Sequence, residues 1–312
     1  MTIPPPLVVV TGPTGVGKSE LGLRLAEHLG GEVINADSMQ LYRGMDIGTA
    51  KLTVSERRGI PHHLLDVLDV RETATVAAYQ RDTRTAVEGI RAAGRVPILV
   101  GGSGLYIQAV VDEIEFPGTD PQVRARLEAE LTELGAAVLF ARLERVDPAA
   151  AEVIESANGR RIVRALEVNE VTGGPFRATL RPGPPRYDAV LLRLDRDTTV
   201  LDAALERRVR GMVADGWLEE VRTLAAAGLR EGFTARRALG YPQLLAVLDG
   251  RADLDAAITE TVVATRRFVR RQRSWLRRDL RMIDLDVDEP GLVDRALREV
   301  RAAGSTLGTV VR

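Results

Sequence analysis

The chain has 312 residues, with 43 basic against 44 acidic side chains and no cysteine. That near-neutral balance excludes a protein that is basic throughout, so any nucleic-acid contact has to be local. The missing cysteines exclude disulfides, thiolate zinc and a cysteine nucleophile. His28, His62 and His63 are too few and too poorly spaced for a dedicated zinc site. No segment has the apolar length of a signal peptide or a membrane span, so a soluble cytoplasmic protein is expected, with monomer as the default.

In chain order, residues 7–11 read as a buried strand, a short apolar β-branched run that stops at Gly12. The next residues, GPTGVGKS, match the nucleotide-binding pattern G-x-x-x-x-G-K-[ST] in full. A helix follows from Lys18 to His28, with Leu21, Leu25 and Leu29 on one face and Gly30-Gly31 closing it. EVINAD (32–37) and VPILVGG (96–102) read as further strands, separated by a helix within 74–93. This strand–helix rhythm predicts an α/β fold, a P-loop parallel sheet flanked by helices. From Asp120 to Gly173 no strand signal occurs, and Asp-Pro pairs at 120–121 and 147–148 read as helix starts. AVLLRLD (189–195) resumes the sheet, long helices fill 198–280, MIDLDV (282–287) is a last strand, and the tail from Ala302 is expected to fray. The organisation expected is a core of residues 1–112 and 189–312, interrupted by a mostly helical insertion over 113–188.

Four constellations could carry chemistry. In the P-loop, glycines let backbone N–H groups surround phosphate oxygens, Lys18 neutralises charge, and Ser19 is placed to ligate Mg²⁺. Lys18 and Lys51 are the only lysines in the chain, which sets Lys18 apart from a chance match. A P-loop grips a chain of phosphates, and ATP is one of several molecules that carry one. NADSMQLYRGMDIGTAK (35–51) puts Asp37 and Ser38 just past a strand end, where an aspartate serves as general base, Mg²⁺ partner or simply a helix cap. GGSGLY (101–106) offers the Ser103 hydroxyl or a plain strand-to-helix turn. ATRRFVRRQRSWLRRDLR (264–281) carries eight arginines and one acid, and RRIVR (160–164) and RRALGY (236–241) are shorter clusters. Such runs are either solvated helix faces or a local surface for phosphates.

GPTGVGKS, NADSMQLYRGMDIGTAK, IPHHLLDV, GGSGLY, RRVRGMVADGWLEEV, RALGYPQ and ATRRFVRRQRSWLRR, in this order, resemble the bacterial tRNA dimethylallyltransferases, also called tRNA isopentenyltransferases. The resemblance runs from about Leu7 to Arg281. It implies transfer of a dimethylallyl group from dimethylallyl diphosphate to the exocyclic N6 amine of the adenine immediately 3′ of the anticodon, in tRNAs reading codons that begin with U. It further implies that the loop Gly12, Pro13, Thr14, Gly15, Val16, Gly17, Lys18 and Ser19 holds diphosphate, not ATP. Asp37 falls on the family's catalytic base, and Ser38, Met39 and Gln40 on the segment lining the adenine pocket. Ser103 stands where relatives usually have threonine, and Arg208 matches an arginine that reaches the diphosphate. Arg160, Arg161, Ile162, Val163 and Arg164, with Arg236, Arg237, Gly240 and Tyr241, fall on segments that touch tRNA. Pro242 departs from the family, where a basic or amide residue is common. The inserted helical domain is implied to help grasp the anticodon stem-loop. Tyr106 and Tyr241 read either as stacking platforms or as core aromatics.

Two other readings compete. A kinase would use the same loop for ATP, yet no apolar strand here ends in an acidic pair of the ATPase kind. A non-catalytic RNA-binding module with a relict P-loop would bind tRNA indifferently to Asp37.

Overall fold

A computed structural model of the chain describes residues 4–176 and 183–309. Its strands are β1 (Leu7–Thr11), β2 (Gly31–Asn35), β3 (His62–His63), β4 (Val96–Gly101), β5 (Ala189–Asp195) and β6 (Ile283–Asp286). Its helices begin with α1 (Lys18–Leu29), α2 (Val76–Ala92), α3 (Gly104–Val111), α4 (Pro121–Leu134), α5 (Ala136–Val146) and α6 (Pro148–Ala151). They continue with α7 (Gly159–Thr172), α8 (Thr198–Ala214), α9 (Trp217–Ala226), α10 (Tyr241–Leu248), α11 (Leu254–Leu276) and α12 (Leu292–Thr309).

The strands form one parallel sheet in the order β3-β2-β4-β1-β5-β6. Every residue of β1 is buried, as an unbroken β-branched run at the centre of a covered sheet must be. One sheet face packs Leu7, Val9, Ile34 and Leu99 against α2 and α3 through Val87, Ile90, Ile107 and Val110. The other packs Val8, Val10, Val33 and Ile98 against α1 and α12 through Leu21, Leu25, Leu297 and Val300. A third apolar cluster, around Trp217 and Tyr241, joins α9 and α10 to the start of α11 and to Tyr42 and Met45.

The strand order has a direct consequence for function. Because β4 lies between β2 and β1, the loops leaving β1, β2 and β4 emerge side by side at the carboxyl edge of the sheet, where open α/β sheets bind ligands. Those loops hold the P-loop, Asp37 and Ser103.

Residues 114–183 form a compact unit of their own; residues 1–113 and 184–312 form the other. The smaller unit is helical, with its own core of Leu127, Leu139, Leu143, Ile162 and Leu166. Three of its four helix starts are set by side-chain caps. Asp120 accepts from the N–H groups of Gln122 and Val123, Asp147 from Ala150, and Asn158 from Arg161. Glu167 is wholly buried there and ion-paired with Arg124 and Arg164.

Several details differ from the sequence reading. β2 stops at Asn35, so Asp37 lies two residues beyond the strand rather than in it. The helical stretch at 198–280 is broken at Asp215-Gly216, over 227–240 and over 249–253. The expected frayed tail is a continuation of α12 as far as Thr309, whose Ala296, Leu297 and Val300 pack on the sheet; 310–312 lie outside the described residues. The linker read at 173–187 falls partly outside them as well, at 177–182.

The second lysine is structural. Lys51 is buried, and its Nζ donates to the Tyr42 carbonyl (2.8 Å), Asp46 Oδ1 (2.6 Å) and Asp66 Oδ1 (2.5 Å). It thereby closes the 42–51 loop that follows Asp37. Both carboxylates are partly exposed and can rehydrate if the ammonium is removed, but the Tyr42 carbonyl cannot easily do so. Lys51→Met is therefore expected to lower stability by about 2 kcal/mol, read as a lower urea midpoint with an unchanged slope.

Candidate active site

The P-loop runs from the end of β1 into α1. Gly17 caps α1 at φ 101°, a left-handed conformation that costs a side-chain-bearing residue energy and costs glycine almost none. It turns the first N–H groups of α1 toward the loop, where the helix dipole favours an anion. Val16 is buried in the core beneath, while Ser19 is exposed on the first turn. Lys18 Nζ folds back to donate to the Pro13 carbonyl at 2.8 Å. Burial pulls its ammonium down to about 8, the charge of Arg208 adding to the fall and that of Asp37 opposing it. Arg208, on α8, is likewise lowered by burial and raised by Asp37. Lys18, Arg208 and Asp37 thus share one electrostatic neighbourhood, although they come from three separate elements.

Asp37 is held by its neighbours. The Asn35 side chain accepts from the Asp37 N–H (2.8 Å) and donates to the carbonyls of Asp37 (2.9 Å) and Leu64 (3.0 Å). Asp37 Oδ1 in turn accepts from the Met39 N–H at 2.9 Å. The segment after it is turn, not helix, so Asp37 and Ser38 do not cap a helix. Tyr79 and Tyr106 stack with ring centroids 4.3 Å apart. Burial raises both phenols, and the nearby Asp37 charge contributes. Ser103 sits at the start of α3 without a side-chain capping bond.

Some of these groups border a cavity of about 350 Å³. Thr14, Asp37, Ser38, Met39, Ser103 and Arg208 line it, and Leu205, Val209, Met212, Trp217 and Phe268 form its apolar wall. Gln272 closes the cavity from α11. Its Oε1 accepts from the Thr14 N–H (3.0 Å), and its Nε2 donates to the Gly102 carbonyl (2.8 Å). One amide therefore ties the P-loop, the β4 turn and the arginine-rich helix together.

Trp217 and Glu220, both on α9, build the opposite side. Glu220 accepts backbone N–H bonds from Asp46 (2.9 Å), Ile47 (2.6 Å) and Gly48 (3.2 Å), and the Tyr241 hydroxyl at 2.7 Å. The indole of Trp217 lies so close to two backbone positions that a Cβ on Gly48 would fall 2.1 Å from its Nε1. One on Gly240 would fall 1.9 Å from its ring. Only glycine fits either place. Gln272, Trp217 and Glu220 escaped the sequence reading, although GMDIG and RALGY carried the signal as glycines needed for close approach.

The remaining predicted residues separate. Gln40 turns away from the wall and donates to the Thr49 carbonyl at 3.0 Å. Tyr241 is wholly buried against Trp217, edge-on at 5.6 Å, so it is a core aromatic and its ring is not offered to a nucleobase. Pro242 occupies the first turn of α10, where a missing N–H costs nothing. Ile162 and Val163 are core side chains of the helical unit, which leaves them unable to touch RNA; Arg164 binds Glu167 and the carbonyls of Pro117 and Gly118. Arg160 and Arg161 are exposed. Arg236 and Arg237 are exposed too, Arg236 bonded to the Arg230 carbonyl and Arg237 stacked 4.0 Å from the Phe233 ring centroid.

The arginine-rich segment is half structural, and α11 stops at Leu276, so Arg277, Arg278 and Arg281 follow the helix. Arg266 pairs with Asp202 and Glu206, Arg270 with Asp202, Arg273 with Asp195, and Arg281 with Asp112 and Asp279. Arg267, Arg271, Arg277 and Arg278 are exposed, with Arg271 and Arg278 beside the rings of Phe268 and Trp275.

Comparison with known proteins agrees with this geometry. The family model described as IPP transferase matches residues 40–279. The tRNA dimethylallyltransferase of Saccharopolyspora erythraea is 64% identical over 289 residues, covering 92% of this chain and 93% of that protein. That of Streptomyces griseus is 59% identical over 302 residues, covering 96% and 97%. Among solved structures, the full-length tRNA isopentenylpyrophosphate transferase of Bacillus halodurans is 35% identical, with a TM-score of 0.72 over 97% of this chain and 99% of its own. A eukaryotic dimethylallyltransferase acting on tRNA is 26% identical, with a TM-score of 0.78 over 97% of this chain and 79% of its own. The chain belongs to the IPP transferase family.

Proposed function

We propose that the chain transfers a dimethylallyl group from dimethylallyl diphosphate to the N6 amine of the adenine immediately 3′ of the anticodon in tRNAs that read codons beginning with U, with release of diphosphate. The observation that carries this reading is that Lys18, Arg208 and Asp37 share one electrostatic neighbourhood, and that Arg208 and Asp37 line a cavity with an apolar wall. Two cations suit a departing diphosphate, the apolar wall suits a prenyl group, and a single carboxylate suits an amine that must lose a proton.

In the reaction, the bond between the allylic carbon and the diphosphate oxygen breaks as N6 bonds to that carbon. Negative charge gathers on the leaving oxygen, and Lys18, Arg208 and the loop N–H groups stabilise it more as the bond lengthens. The adenine amine is a weak nucleophile because its lone pair is delocalised into the ring; Asp37 accepts its proton as the new bond forms. Ser19 is the hydroxyl available to Mg²⁺. No three His, Cys, Asp or Glu side chains gather into a metal site among the described residues. A single serine hydroxyl suits an ion that takes its other ligands from phosphate and water. Bound there, Mg²⁺ would supply neutralising charge to the diphosphate.

The base must leave the anticodon loop to reach the cavity, which costs a few kcal/mol and is cheapest in a single-stranded loop. The exposed arginines at 160–161 on the helical unit and at 267, 271, 277 and 278 on the core unit are suited to hold the RNA backbone meanwhile. The protein is expected to act as a monomer in the cytoplasm.

The deciding assay supplies radiolabelled dimethylallyl diphosphate, Mg²⁺ and unmodified tRNA, with labelled ATP as the parallel donor. Label should enter tRNA from the prenyl donor alone; phosphoryl transfer from ATP would support the kinase reading instead. Asp37→Ala should lower kcat by about 100-fold or more while tRNA affinity stays close to that of the unaltered protein. Parallel loss of both would remove Asp37 from the role of base. A pH profile tests Lys18. The protonated ammonium attracts the donor, so kcat/KM for dimethylallyl diphosphate should be full below about 8 and fall above it, with the inflection absent in Lys18→Met.

A further inference from the structure

We propose that Met212 sets the length of prenyl group the cavity accepts, an inference that rests on the transfer reading above. Helix α8 presents Leu201, Leu205, Arg208 and Met212 at helical spacing along one face, and the surroundings of that stripe change from end to end. At the first end, Leu201 and Leu205 pack with Val269. Leu205 reaches to 2.9 Å from where a Cβ on Gly15 would stand, so this end abuts the P-loop. At the other end, Met212 packs against the cluster around Trp217 and lines the cavity. The helix therefore runs from the phosphate cradle to the indole.

The dimensions match one isoprene unit. Arg208 and Met212 are four residues apart on α8, a rise of about 6 Å. With carbon–carbon bonds of about 1.5 Å, an extended isoprene unit reaches roughly 5 Å. A diphosphate held at Arg208 then places the end of a dimethylallyl group against the Met212 side chain. Val209 and Trp217 complete an apolar end there, whereas the polar groups a nucleobase needs, Asp37, Ser38 and Ser103, come from other loops. Methionine is flexible and fills irregular gaps, which suits a stop that packs on the branched methyl groups.

The test compares dimethylallyl and geranyl diphosphate as donors to unmodified tRNA, using the full chain and two variants. In Met212→Ala, the ratio of kcat/KM for geranyl over dimethylallyl diphosphate should rise by about tenfold or more. In Met212→Phe, kcat/KM for dimethylallyl diphosphate should fall. Inhibition by inorganic diphosphate should be unchanged in both, since it occupies only the cradle. If one variant loses its fold by circular dichroism, the other decides. Unchanged donor preference in a protein that still transfers dimethylallyl would overturn the gate. So would a higher KM for tRNA with the donor ratio constant, because Met212 would then face the nucleobase. Failure of the unaltered protein to transfer dimethylallyl would overturn the underlying reading instead.

Discussion

Two half-buried cations, Lys18 and Arg208, face one carboxylate, Asp37. Burial works against both positive charges, and a single Asp37 opposes that penalty only in part. The arrangement is electrostatically incomplete without an anion, and the N–H groups at the start of α1 add to its demand for one. Everything else at the site depends on this shortfall being held in place and not relieved by water or by nearby acids. Acids close by in the fold are ion-paired: Asp195, next to the Leu194 carbonyl that faces Gly12, with Arg273, and Asp202 and Glu206 of α8 with Arg266.

Rigidity around the site comes from a few polar side chains that reach across long sequence separations. Gln272 joins Thr14 and Gly102 to α11. Glu220 gathers three consecutive N–H groups of the 46–48 turn, and Lys51 closes the same loop from its other side. Each of these groups is satisfied by the loop it holds, so the loop is ordered without any regular secondary structure of its own. Trp217 then fills the space between two glycines, Gly48 and Gly240, which explains why segments nearly two hundred residues apart both need glycine at one place.

The arginine-rich helix shows how one sequence feature can serve two purposes. Its charges looked uniform because the only acid inside the run was Asp279. In the fold, Arg266, Arg270 and Arg273 meet carboxylates from α8 and β5, and two of the remaining exposed arginines, Arg271 and Arg278, stand beside Phe268 and Trp275. Charge within a segment did not reveal which side of the helix would be balanced by its neighbours. The same limit applied to RRIVR, where amphipathic spacing sends Ile162 and Val163 into a core and leaves Arg160 and Arg161 outside.

The parallel sheet, the P-loop with Lys18 at its working end, and Asp37 and Ser103 at strand ends are all legible in the linear order of residues. Those features are local: a buried β-branched run, a glycine pattern and a helix start each act over a few neighbouring residues. Tertiary packing set β4 between β2 and β1, so that three loops share one edge. It brought Arg208, tied to the diphosphate in the sequence only by family resemblance, to that edge together with Gln272 and the Trp217–Glu220 pair. It also turned Tyr241 and Gln40 from prospective ligand contacts into parts of the scaffold. The reason is physical: burial, charge balance and close approach depend on which surfaces meet, and residues far apart in the chain meet only when the core has formed.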